Sequence, residues 1–288
     1  MFPVKDGQIE DPFRYCKKIT TDSATNFYWA IVSLPSKKRK AVYAIYAFAR
    51  RCDDIADGEY SKKEKQKSLN ELKEQVNKTY QGEPEGKLYE ALRIVIDRFE
   101  IPKKYFLQLI EGVEMDLSKN RYETFRELRT YCYHVASVVG LILIHIFEYD
   151  SKEAEKRGID LGLGMQMTNI IRDIDEDLER DRIYLPLEDM QRFNYSEEDL
   201  KNKKFNENLK SLIKFETNRA EIFFSSGEKL FRYLPGRTRI CPAGLYGIYF
   251  KLLQEMKSER YNPFSDRPQL TTSAKIRAVL SQWLPTMM

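Results

Sequence analysis

The sequence has no CxxC pair, and its four cysteines, Cys16, Cys52, Cys132 and Cys241, stand far apart. That scatter excludes a disulfide framework and a cysteine-based zinc site, and it fits a reducing cytosol. Glycine is sparse at 13 residues, and no Asn-Gly hairpin turn occurs, which disfavours a strand-rich fold. An excess of one charge is missing too: 48 Lys and Arg against 44 Asp and Glu leave a net charge of +4. That balance lacks the basic footprint of a nucleic-acid binder. The N-terminal stretch MFPVKDGQIEDPFRYCKK carries acids and no apolar core of the signal-peptide kind. The longest apolar run, VASVVGLILIHIF at 135–147, is too short by itself to span a bilayer and contains His145, so it reads as a buried core helix.

What is present is helical periodicity over most of the chain. The pattern predicts an all-α protein with helices near 22–33, 36–57, 61–80, 85–99, 102–118, 122–148, 151–180, 204–231, 239–261 and 271–283. Pro35, Pro84, Pro102, Pro186, Pro235, Pro263 and Pro268 fall at starts, ends or connections. Neither a fixed-period repeat nor a Gly/Ser/Pro-rich linker divides the chain, so 1–288 reads as a single domain, with 1–20 only partly ordered. SKKEKQKSLNELKEQVNK at 61–78 has the pattern of a solvated outer helix.

The informative stretch is ARRCDDIAD at 49–57, three carboxylates closing an otherwise apolar helix. At about 100° per residue, Tyr46, Arg50, Asp53 and Asp57 share a stripe roughly 60° wide. GMQMTNIIRDIDEDLERDRIYLP at 164–186 repeats the arrangement, with Gln166, Asn169, Asp173 and Asp177 within roughly 80° by the same arithmetic. Carboxylates at i, i+4 repel by some tenths of a kcal/mol in water and more when buried. A cation between the stripes offsets that repulsion. A ligand set of carboxylate and amide oxygens suits Mg²⁺, which keeps waters and is completed by substrate phosphates, so the donor set implies a diphosphate substrate. A di-iron bundle needs Glu-x-x-His, and neither His134 nor His145 has a Glu three residues earlier. An EF-hand starting at Asp173 fails because its glycine and glutamate positions hold Leu178 and Tyr184.

YAIYAFARRCDDIAD and QMTNIIRDIDEDLERDRIYLP resemble the two aspartate-rich signatures of the squalene and phytoene synthase family, the head-to-head prenyl transferases. FYWAIVSLPSKKRKAVYAIYAF, GVEMDLSKNRYETFRELRTYCYHVASVVG and GLYGIYFKLLQEM agree, so the resemblance covers about residues 20–283. It implies the all-α isoprenoid synthase fold, a helical bundle around a central cavity with both aspartate motifs at its mouth. Position by position, it implies Asp53 and Asp57 as one metal pair and Asp173 and Asp177 as the other, with Asn169 and Gln166 assisting. Arg50, Arg172 and Arg267 match positions that contact diphosphate, Tyr46 and Tyr249 match tyrosines near it, and Tyr131 matches a cavity tyrosine. Ala24, Thr25 and Asn26 stand where some relatives carry serines, which leaves Asn26 as the hydrogen-bond donor there.

The implied reaction is Mg²⁺-dependent. One prenyl diphosphate ionises, its allylic cation is attacked by the C2–C3 double bond of a second, and a cyclopropylcarbinyl diphosphate forms. Rearrangement then gives a hydrocarbon, with NADPH required if that product is squalene. Such a cation needs a dry cavity, for which Tyr131, Tyr249, Phe27 and Phe48 offer π faces and Val135, Ala136, Val139 and Gly140 one side of a tunnel. The wording EGVEMDLSKNRYETF resembles farnesyl-using enzymes that make presqualene diphosphate or squalene, so two C15 donors are expected, with two geranylgeranyl diphosphates and phytoene as the alternative. Head-to-tail elongation also uses DDxxD, which DDIAD satisfies, but NxxRDxxED is not its second motif; a non-catalytic lipid-binding relative need not keep four aspartates. The expected setting is the cytoplasm, with peripheral contact at the inner face of a membrane.

Overall fold

The computed structural model describes residues 11–23, 28–265, 267–275 and 277. Among these, the helices are α1 (Pro12–Ser23), α2 (Tyr28–Ile31), α3 (Ser36–Asp57), α4 (Lys62–Gln81), α5 (Lys87–Phe99), α6 (Lys103–Ser118) and α7 (Phe125–Cys132). A π-helical turn, Tyr133–Ser137, joins α7 to α8 (Val138–Phe147). Then follow α9 (Glu153–Arg172), α10 (Ile174–Glu179), α11 (Leu187–Arg192), α12 (Glu197–Lys201), α13 (Glu207–Gly227), two 3₁₀ turns (Glu228–Tyr233 and Gly236–Arg239) and α14 (Ile240–Met256). The described residues form no strand, only an isolated bridge between Arg121 and Ile183.

The all-α reading holds, and most differences lie at helix ends. The helix expected over 22–33 is instead the end of α1 and the short α2, on either side of undescribed residues. α1 begins earlier because Asp11 caps it, accepting from Phe13 N–H at 3.0 Å. Its few buried side chains, Cys16 and Thr20, sit among polar residues, which hides the helix from an apolar-periodicity reading. The helix expected at 271–283 is helical at 272–275 and 277, and the rest of it lies outside the described residues. α11 and α12 are too short to show a period.

Two helices run through the middle. α3 is buried all round in its middle, at Ala41, Val42, Tyr43, Ala44, Ile45, Ala47 and Phe48, and α14 is buried along almost its whole length. A helix apolar all round belongs inside. α4 is the outer helix its charges predicted: it buries only Leu69, Leu72, Val76 and Thr79, and it starts on a Ser61–Glu64 capping box. The apolar run at 135–147 is part of a helical stretch, Phe125–Phe147, that is long and apolar enough to cross a membrane by length and composition. Here half of its apolar window is buried by the fold.

α9 lies against α13, α8 and the π-turn, and glycine permits that approach. A Cβ on Gly162 would stand 2.6 Å from the Cα of Ser137, inside the π-turn itself. Ser137 Oγ donates to the Ile159 carbonyl of α9 at 2.8 Å, which ties the wide turn to its neighbour.

Candidate active site

The C-terminal half of α3 fixes the first acidic group. Cys52, Ile55 and Ala56 are buried on its inner side, so the helix cannot roll, and Tyr46, Arg50, Asp53 and Asp57 are held at the wall of a cavity of about 610 Å³. α9 supplies the opposite wall. Met167, Thr168, Ile170 and Ile171 are buried, while Gln166, Asn169 and Arg172 line the same cavity, joined by Asp173, Asp177 and, from α14, Tyr249. Tyr131 lines it from α7.

The helix expected over 151–180 is interrupted at Asp173, where φ is −103° and ψ is 17°. In a straight helix, neighbours in sequence point about 100° apart and do not face each other. The break lets Arg172 fold back on its neighbour: Nε donates to Asp173 Oδ1 at 2.8 Å and Nη2 to Oδ2 at 2.5 Å. Arg267 also donates to Asp173 Oδ1, from Nη2 at 3.0 Å, and its Nη1 pairs with Glu176. Arg267 stands at the rim, where with Arg172, Gln269 and Lys275 it borders a smaller cavity of about 400 Å³.

The two acidic stripes meet. Arg180, just past the end of α10, donates to Asp57 of α3 at 3.0 Å, and Arg182 approaches the same carboxylate at 3.7 Å. Arg50 turns to Asp54 at 2.7 Å. Burial, and then the charge of Asp57, push Asp53 up to about 7 from 3.8. Asp177 is likewise pushed up to about 7, by burial and then by Asp173, against the pull of Arg182 and Arg180. Asp53 still opens to space within the concave mouth. Asn169 Nδ2 donates to Gln166 Oε1 at 3.2 Å, while Asn169 Oδ1 is buried without a partner. Strained carboxylates and an orphaned amide oxygen fit a hard divalent cation. Among the described residues no three acidic, histidine or cysteine side chains cluster closely enough to hold an ion by themselves. The remaining ligands would come from water and substrate oxygen.

Behind this mouth the cavity is apolar, walled by Ile45, Val113, Leu143, Ile144, Phe147 and Leu245. Val135, Ala136, Val139 and Gly140 line it as expected. Phe48 does not: it is fully buried in the core, edge-on to Phe106 at 5.2 Å. Asn26 and Phe27 lie outside the described residues.

The sequence reading missed three groups at the mouth. Arg180 and Arg182 flank the second motif and neutralise Asp57. Asp116 of α6 accepts from both Tyr131 and Tyr184. The two arginines are visible in the string ERDRIYLP; Asp116 is one acid in a helix with no local partner to mark it.

The family model described as squalene/phytoene synthase matches residues 20–278. The chain belongs to that family. Its members are prenyltransferases, and this chain is an enzyme of that kind. It is 34% identical to a 15-cis-phytoene synthase from Synechocystis sp. over 96% of this chain and 86% of that one. It is 34% identical to a phytoene synthase from Arthrospira platensis, over 92% and 90%. Among solved structures, a dehydrosqualene synthase in complex with ligand superposes with a TM-score of 0.88 at 30% identity, covering 95% of this chain and 96% of that one. The squalene synthase HpnC from Alicyclobacillus acidocaldarius gives 0.83 at 28%, over 88% and 95%. The isoprenoid synthase fold of the family is the fold found here.

Proposed function

We propose that this single-domain enzyme joins two prenyl diphosphates head to head, with Mg²⁺ held by Asp53 and Asp57 on one wall and Asn169, Asp173 and Asp177 on the other. The observation that carries the reading is the meeting of two acidic helices, bridged by Arg180, over a deep apolar cavity. Bound there, the metal supplies Lewis-acid stabilisation of the departing diphosphate. Arg50, Arg172 and Arg267 add donors for the same charge, and Gln166, Tyr46 and Tyr249 border it. The apolar walls exclude water from the allylic cation.

For chain length, the phytoene synthase relatives at 34% identity support two C20 donors over the C15 donors expected from sequence wording. The C15 reading stands second, favoured by the superposition on a dehydrosqualene synthase. In both, the final cation is quenched by proton loss and NADPH is not needed. The enzyme works in the cytoplasm and meets its lipid-like substrates at the membrane's inner face.

The test is incubation with Mg²⁺ and labelled C15 or C20 diphosphate, with and without NADPH. The expected outcome is a C40 hydrocarbon from C20, unchanged by NADPH. A larger kcat/KM for C15 with a C30 product moves the assignment to the second reading, and a linear diphosphate product refutes head-to-head chemistry. Co-flotation with liposomes checks the membrane contact; recovery in the unbound fraction with anionic and neutral vesicles alike contradicts it.

A further inference from the structure

The cavity separates two ends of opposite charge. At the mouth, 173–182 holds six Asp and Glu against two Arg. At the far end the apolar walls close on Ile31, Phe147, Leu230 and Pro242. Three segments cover that floor: 32–40, which leads into α3; 148–156, which runs from the end of α8 into α9; and 228–239, the two 3₁₀ turns between α13 and α14. Together they hold ten Lys and Arg against five Asp and Glu, a surplus of five in a chain whose whole net charge is +4.

Hydrogen bonds tie the three segments into one cap. The Phe147 carbonyl, last of α8, accepts from Lys38 Nζ at 2.9 Å and from Thr238 Oγ1 at 3.3 Å, and the Tyr233 carbonyl accepts from Asp150 N–H at 3.3 Å. Three of the five acids are occupied within the fold: Glu148 pairs with Lys38 at 3.0 Å, Glu153 with Arg157 at 3.3 Å, and Glu155 accepts from Tyr149 at 2.8 Å. Lys37, Lys152, Lys156, Lys229, Arg232 and Arg237 are exposed and form no ion pair among the described residues. Pro35 and Pro235 are exposed beside them, with Val32 and Tyr233 half-buried, so apolar groups stand among the cations. Lys37 and Asp53 lie on the same helix, roughly 24 Å apart along its axis, which is about three Debye lengths at physiological ionic strength. A surface approaching the floor therefore meets these cations without repulsion from the acidic mouth.

We propose that this basic floor is the face that docks on anionic lipid headgroups, leaving the mouth turned to water. The inference rests on the function proposed above, which places prenyl tails in the cavity. An acidic protein would match the charge as well, but the apolar contents of the cavity favour a bilayer as the partner. The diphosphates and the metal stay at the aqueous end, the tails lie towards the floor, and the hydrocarbon forms with its far end next to the membrane. Each Lys or Arg close to an anionic bilayer strengthens partition about fivefold, so a few of the exposed cations suffice for reversible, salt-sensitive attachment.

The experiment measures partition of the full chain onto vesicles of phosphatidylcholine with or without phosphatidylglycerol at physiological ionic strength. Wild type should bind only the anionic vesicles and come off in high salt. The triple variant K37E/R232E/R237E should lose about 100-fold or more in partition. The triple variant K62E/K63E/K67E makes the same change in net charge on α4, which starts at the mouth end, and should stay within about threefold of wild type. All six positions are exposed, and Lys37→Glu puts an acid in the first turn of α3, where the helix dipole favours it, so thermal melts should match wild type. A second readout serves if a triple variant is unstable. The four native cysteines are buried, so a polarity-sensitive dye can be placed on Ser36→Cys or Lys63→Cys alone. Its emission should shift to the blue on anionic vesicles only at position 36. Equal losses in the two triple variants, partition unchanged by the floor reversals, or a shift at position 63 instead of 36 overturns the docking face. Wild type that partitions onto neither vesicle overturns the face together with the membrane contact proposed above. Wild type that partitions as expected but makes no head-to-head product from detergent-dispersed substrate overturns the functional reading alone.

Discussion

With metal removed, Asp177→Asn should make the protein more stable. The Asp177 carboxyl is pushed from 3.8 to about 7, first by burial and then by the charge of Asp173. A shift of roughly three pH units at about 1.4 kcal/mol each sets a ceiling near 4 kcal/mol. The mouth is open to water and Arg50, Arg172, Arg180 and Arg182 line it, so screening brings the expected gain to about 1 kcal/mol. The sign follows from linkage: between 3.8 and about 7 the folded chain keeps a proton that the unfolded chain has released, so wild-type stability falls as pH rises through that window. Asn cannot ionise, and its profile should be flatter. Thermal melts in chelator from acid to mildly alkaline pH should show the variant melting about 2 °C above wild type at the alkaline end, converging towards acid. A variant that melts below wild type there, or a gap independent of pH, refutes the electrostatic reasoning.

Gly162→Ala should cost about 1–3 kcal/mol in thermal or urea unfolding, because its Cβ meets the Ser137 backbone at 2.6 Å. Gly158→Ala, whose Cβ meets only Ile144 side-chain carbons at 3.6 Å or beyond, should be neutral or gain up to about 1 kcal/mol from helix propensity. Arg267→Ala should change stability by less than about 0.5 kcal/mol, since the residue is 44% exposed. It should weaken binding of the substrate diphosphate about tenfold in steady-state kinetics, the size of a charge-assisted hydrogen bond.

The site was legible where it is local. Asp53 with Asp57, and Asn169 with Asp173 and Asp177, repeat at helical spacing, and the structure places both sets on one cavity. What period alone could not show is where the helix departs from 3.6 residues per turn. The π-turn at Tyr133–Ser137 and the break at Asp173 both fall inside runs that scan as continuous helix, yet one shapes the cavity wall and the other brings Arg172 onto Asp173. Non-local partners are silent for the same reason. Asp116 finds Tyr131 and Tyr184 at separations of 15 and 68 residues, and Asp57 finds Arg180 at 123. Phe48 shows the converse error: an aromatic on the right helix but the wrong face, where it packs on Phe106.

The central claim is that two facing carboxylate pairs grip a divalent cation and a diphosphate together. Calorimetric titration of inorganic diphosphate into the protein tests it directly, with Mg²⁺ or with chelator, for wild type and Asp53→Asn. The account predicts binding that requires Mg²⁺ and weakens about tenfold or more in the variant. Equal affinity with and without the metal, unchanged by Asp53→Asn, would contradict it.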